Sequence, residues 1–159
     1  MCRWGVAVGV IRQVIEATVN ALDTIPNLIL SPASVEGLNT PNTIAEKVYS
    51  VTMQTDNTDK FRDRQPAGHM RLGHTLTVSV LFRLFPNDQL TSYKNALDVE
   101  ELIIQKMLVQ ANFPAYRVLY ERSQRTTPAA AGSIRASTIA GEYLFTQIDF
   151  SIDQSVALL

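Results

Sequence analysis

Hydrophobic and polar positions along this chain follow two periods, one helical and one of two residues. Ile11, Val14, Ile15, Thr18, Val19 and Leu22 recur at helical spacing and mark one face of an amphipathic helix, whose extension Pro26 ends. "NLILSP" reads as a short strand, and residues 31–43, rich in Ser, Pro, Asn and Thr, read as loop. "KVYSVTM" (47–53) alternates, with Tyr49, Val51 and Met53 on one side and Val48, Ser50 and Thr52 on the other. The clearest alternation lies in "HTLTVSVLFRLFPNDQL" (74–90). Leu76, Val78, Val80, Phe82 and Leu84 form a uniformly apolar set that faces the core, while Thr75, Thr77, Ser79, Leu81, Arg83 and Phe85 form a mixed set on a partly covered face.

Pro86 cannot continue a strand ladder, and Asn87 or Asp88 caps a helix running from Gln89 to about Gln110. Its predicted buried stripe is Leu90, Tyr93, Leu97, Ile104 and Leu108, with Glu100 or Glu101 on the edge. "AYRVLYER" then alternates again, Tyr116, Val118 and Tyr120 opposing Arg117, Leu119 and Glu121. In "EYLFTQIDFSID", Leu144, Ile148, Phe150 and Ile152 share one face and Tyr143, Phe145, Gln147 and Asp149 the other. Between these two segments "TTPAAAGS" is flexible in composition. Strands and helices do not alternate strictly. The expected fold is therefore α+β, a single domain over residues 1–159 with an antiparallel sheet and two main helices packed on one face.

One long stretch lacks either period. "QTDNTDKFRDRQPAGHMRLG" (54–73) sets Lys60, Arg62, Arg64 and Arg71 against Asp56, Asp59 and Asp63, with Pro66 and Gly68 inside it. A loop of this length between strands is uncommon in a compact domain and is usually functional or disordered. Two readings stand. It is a solvated flexible loop, or it orders against a neighbouring subunit, with Phe61 and Met70 as apolar anchors and Lys60, Arg62, Arg64 and Arg71 contacting carboxylates.

Composition narrows the class. With 159 residues, 46% apolar and 18% charged, the chain can build one proper core. A net charge of −1 gives no global attraction to nucleic acid or anionic membrane, and the basic residues of 54–73 are too diluted by aspartate for a nucleic-acid footprint. The apolar "WGVAVGVI" is bounded by Arg3 and Arg12, too short to span a bilayer and poor as a signal peptide, so no export is expected. A single cysteine, Cys2, excludes an internal disulfide.

Catalytic and cofactor signatures are missing. His69 and His74 have no thiol or carboxylate at metal-ligand spacing, and they read as solvated or capping residues. No serine sits in a GxSxG elbow, Cys2 is a poor candidate nucleophile, and neither GxGxxG nor a P-loop occurs. Glu100–Glu101 and Asp149 with Asp153 are carboxylate pairs of the kind solvated faces produce routinely. The expectation is a protein without enzymatic activity, cofactor or metal.

The order of these elements resembles a known family. An N-terminal amphipathic helix leads through strands and a long polar loop to "TLTVSVLFRLFPNDQL", a strand joined through proline to a second helix, and "GEYLFTQIDFSID" closes the sheet. This is similar to the tail terminator proteins of long-tailed bacteriophages, the λ-type tail-completion or neck family. The chain differs from them in its longer stretch at 31–43 and in "TTPAAAGSIRAS". The resemblance implies a structural virion protein, made in the host cytoplasm, that forms a homo-hexameric ring on the tail tube and stops its polymerisation. Its implied partners are other copies of itself, the tail tube protein, head–tail connector or neck proteins, and the sheath where the tail is contractile. Neither nucleic acid nor membrane is implied. Another neck protein of similar fold is the alternative, and a small enzyme or a non-phage adaptor domain is a further one.

Overall fold

The two alternating segments at 47–53 and 75–85 become neighbours at the centre of a five-stranded sheet. The computed structural model describes residues 9–31, 47–57, 69–113, 116–126 and 143–157. In chain order they form α1 (Val10–Leu22), β1 (Ile29–Leu30), β2 (Lys47–Asn57), β3 (His69–Arg83), α2 (Gln89–Leu108), β4 (Tyr116–Thr126) and β5 (Tyr143–Ala157). The strand order is β1-β2-β3-β5-β4. All neighbours pair antiparallel except β1, whose two residues run parallel to β2 at Val48 and Tyr49. The fold is α+β with a mixed sheet.

The period of two decides which face of the sheet is dry. Leu76, Val78, Val80, Phe82 and Leu84 are all buried, and in register with them Leu144, Ile148, Phe150 and Ile152 of β5 are buried on the same side. Tyr49 of β2 and Tyr116 of β4 extend that surface towards both edges. Onto it pack Val14, Ala21 and Leu22 of α1 and Ala96, Val99, Ile103 and Met107 of α2, so both helices lie on one face. Burying each large apolar side chain contributes about 1.5–3 kcal/mol, and this layer is the main source of stability.

The join after β3 works differently from a simple cap. Pro86 opens a 3-10 turn over residues 86–88, and Asp88 occupies the N-cap position without a side-chain cap bond. Ser92 links the turn instead, its Oγ accepting from the Phe85 N–H at 3.1 Å and donating to the Asp88 carbonyl at 2.9 Å. At the far end the Asn112 amide donates to the Lys106 carbonyl at 2.9 Å, satisfying one of the orphan acceptors of the last turn.

Two expectations need correction. The buried stripe of α2 is Ala96, Val99, Glu100, Ile103 and Met107, while Leu90 is 67% exposed and Leu108 and Tyr93 are also exposed. The helix has two apolar stripes about 100° apart, both at 3–4 spacing, and the buried one also directs Glu100 inward to a partner on β4. The second correction concerns the segment at 54–73. Gln54–Asn57 continue β2 and His69–Gly73 begin β3, in unbroken register from Gln54↔Thr75 to Asn57↔Leu72. Gln54, Thr55 and Asp56 are all exposed, while Leu72 between Arg71 and Gly73 is buried, so the strand period continues into β3 although the β2 end outruns the core. Residues 58–68 lie outside the described residues.

Candidate interaction faces of the sheet

The face turned away from the helices divides into an apolar end and a polar belt. At the apolar end Leu81, Tyr143 and Phe145 are buried in a small cluster of their own. The alternation of 75–85 puts Leu81 on a partly covered mixed face, and Tyr143 and Phe145 close over it there. Of the apolar residues in that mixed set only Phe85 is exposed, with the Arg83 guanidinium 5.5 Å above its ring.

The polar belt is built by cross-strand register. Asp56, Gly73, Asp153 and Arg117 lie on one rung that crosses the sheet from β2 to β4. Because Gly73 has no side chain, a depression of about 470 Å³ opens there, lined by Asp56, Arg71, Arg117, Leu119 and Asp153 among others. Arg71 pairs with Asp153 along its wall. Beyond it, Asp149 accepts from Arg122 Nε at 2.7 Å and from the Thr77 hydroxyl at 2.7 Å. Burial pushes the Asp149 carboxyl up, but these two hydrogen bonds and the Arg122 charge outweigh it and hold the group below its ordinary value. Arg117 and Asp56 are exposed, and neither has a hydrogen bond or ion pair with a described residue.

Several polar groups on the helix side are paired with one another, while the buried Thr146 hydroxyl has no partner among the described residues. Glu100 is 4% exposed, and Arg125 holds both of its oxygens at 2.7 Å, a bidentate pair that raises the guanidinium pKa further. A sequence reading of Glu100 as a solvated carboxylate fails for that reason. The Tyr49 hydroxyl donates to Asp23 at 3.2 Å, and burial, with Asp23 second, pushes the phenol well above its ordinary pKa.

His74 belongs to a relay of the same kind. Its Nδ1 lies 2.9 Å from the Thr55 hydroxyl and its Nε2 2.7 Å from Gln154 Oε1. Gln154 Nε2 in turn donates to the Val10 carbonyl at 3.1 Å. With the amide nitrogen committed to Val10, the amide oxygen must accept from the ring, so Nε2 is assigned a proton, and Nδ1 shares a hydrogen bond with the Thr55 hydroxyl. Both ring nitrogens are occupied structurally, joining β2, β3 and β5 to the first turn of α1.

Of the residues expected at an interface, Lys60, Phe61, Arg62 and Arg64 lie outside the described residues, as does Cys2. Met70 lies in β3, and only its backbone is described. Arg71 is the one the structure connects to others, through Asp153. The sequence reading passed over Arg117, Arg122, Asp149 and Asp153 as a group. Alternation in the last strand already set Asp149 on the outer face, but only register brings the arginines of β3 and β4 beside it.

Among the described residues no three His, Cys, Asp or Glu side chains converge as a metal-binding set. No described helix is long and apolar enough to cross a membrane. Compared with protein-family models and with curated proteins, the chain matches none.

Proposed function

We propose that this chain is a structural protein of a phage tail, a tail terminator that caps the tube as a ring and presents the surface to which the head joins. The reading rests first on the resemblance in element order. The observation that carries it furthest is the division of labour between the two sheet faces. One is sealed by both helices, and the other presents a rigid polar belt in which Arg71, Arg117 and Arg122 interdigitate with Asp56, Asp149 and Asp153. A polymerising tube stops when its last ring meets a partner that matches the exposed face but does not repeat it. Near-neutral, cross-braced charge on stiff strands suits such a face, because alternating signs fix register while adding little nonspecific attraction. On the helix side Tyr49, His74, Glu100 and Gln154 are each engaged in a structural bond, a use of buried polar groups that suits an assembly role.

The test is tail length by negative-stain microscopy in a phage whose reading frame for this chain is disrupted. Overlong, headless tubes are expected. Tails of normal length that fail to join heads would move the assignment to a neighbouring neck protein. Normal infectious particles would overturn it.

A further inference from the structure

The sheet has two open edges among the described strands. β4 pairs only with β5. On the other side, β1 covers β2 only at Val48 and Tyr49, which leaves β2 from Val51 to Asn57 with β3 on one side and no described strand on the other. Strand direction alternates from β2 through β3 and β5 to β4, so β2 and β4 run opposite to one another. A second copy continuing the sheet therefore meets the first in the antiparallel sense that favours pairing.

The charges fit as well. Arg117 on the β4 edge and Asp56 on the β2 edge lie on the same rung of the sheet, at its opposite ends, through Asp153 and Gly73. Both face outward, both are exposed, and neither is partnered by a described residue. Within one copy the width of the sheet separates them. A closed ring repeats each copy without axial shift, which to within strand tilt sets that rung of one copy against the same rung of the next. Arg117 of one copy then meets Asp56 of its neighbour. Beside Arg117, Leu119 is 64% exposed and Tyr120 is also exposed, giving apolar surface that such a contact would cover.

We infer that the lateral contact between copies of this chain is an edge-to-edge continuation of the sheet, with β4 of one copy along Val51–Asn57 of the next and Arg117 paired with Asp56 across the junction. The two edges differ, so the contact is heterologous, and repetition by rotation yields a ring. The inference rests on the self-assembling reading given above and identifies the surfaces it uses.

A reciprocal charge swap tests it. Self-association of the full chain is followed by light scattering and native mass spectrometry over a concentration series. Asp56→Arg and Arg117→Glu each set like charges against one another and are expected to weaken association about tenfold or more. The double variant, and an equimolar mixture of the two single variants, are expected to recover it, because either restores opposite charges at every junction. Both positions are exposed, and circular dichroism checks that each variant stays folded. Single variants that assemble like the parent, or a double variant that fails to recover, would overturn the inference. So would a parent chain that remains monomeric throughout, while leaving the cap reading standing, since a cap can assemble on its tube. Normal tails after gene disruption would remove the cap reading without touching this result.

Discussion

Replacing Arg125 by methionine leaves the Glu100 carboxylate enclosed with neither of its two donors. The cost can be worked from the geometry. Removing one partner of a fully buried ion pair costs about 3–5 kcal/mol, because the remaining charge has lost its water and gained nothing. Here the side chain of Glu100 is 5% exposed but that of Arg125 is 39% exposed, so water screens the pair in the parent and can approach the carboxylate in the variant. The expected loss is therefore roughly 2–3 kcal/mol, a fall in Tm of roughly 5–10 °C for a domain of this size. Glu100→Gln keeps an oxygen for one of the two 2.7 Å bonds and leaves a cation that water can reach, so it should cost only about 1 kcal/mol. The double variant Glu100→Met with Arg125→Met replaces the pair by apolar groups of similar length and should lie within about 1 kcal/mol of the parent. Urea denaturation at pH 7 of the parent, Arg125→Met, Glu100→Met and the double variant gives the full cycle, with Glu100→Gln measured beside it. If Arg125→Met were as mild as an ordinary surface change, or if the double variant were as unstable as the sum of its parts, Glu100 would not be a buried charge held by Arg125.

Three further outcomes follow from the same structure. Ile103→Ala should cost about 2–5 kcal/mol, whereas Leu90→Ala should stay within about 0.5 kcal/mol, and thermal melts that reversed this order would return the buried stripe of α2 to Leu90 and Leu108. Asp149 is held below its ordinary value of 3.8, so its stabilising contribution is present above that value and is lost as pH falls through the lower folded-state value. Tm measured from pH 6 to 2.5 should fall less steeply below pH 4 in Asp149→Asn than in the parent, and parallel curves would contradict the assignment. Gln154→Leu strands the His74 N–H and removes a second donor from the Val10 carbonyl, at about 1–3 kcal/mol, and hydrogen exchange should show the first turn of α1 opening more readily.

How much of this was visible in the chain itself depended on whether a residue's surroundings were local. β3 and β5 were legible because strands sealed on one face must alternate, and Leu76 to Leu84 and Leu144 to Ile152 do so. The helical spacing of α1 was equally plain. The buried face of α2 was not, since Leu90, Tyr93, Leu97, Ile104 and Leu108 form as good a stripe as the one that is buried. Only the distant Arg125 and the apolar sheet choose between them. The extensions at Gln54–Asn57 and His69–Gly73 were hidden because Gln54, Thr55 and Asp56 are all exposed and Leu72 is the one buried apolar side chain described there, too little to show a period without the backbone pairing. The outer belt needed register: Arg71 and Asp153 lie 82 residues apart in sequence and make one pair in space.

The position of β5 sets the order in which this sheet can be finished. β5 is the last of the five strands to be made, yet it lies between β3 and β4 and pairs with β3 along its whole length. Until it is synthesised, β3 has a long unsatisfied side and β4 has no described strand beside it. Contacts of such high sequence separation form slowly, and open strands of this length are the surfaces through which incomplete chains aggregate. Completion of the sheet is thus withheld until Tyr143–Ala157 has emerged, and an N-terminal fragment ending before Tyr143 should gather α1, β2 and β3 without a partner for β4.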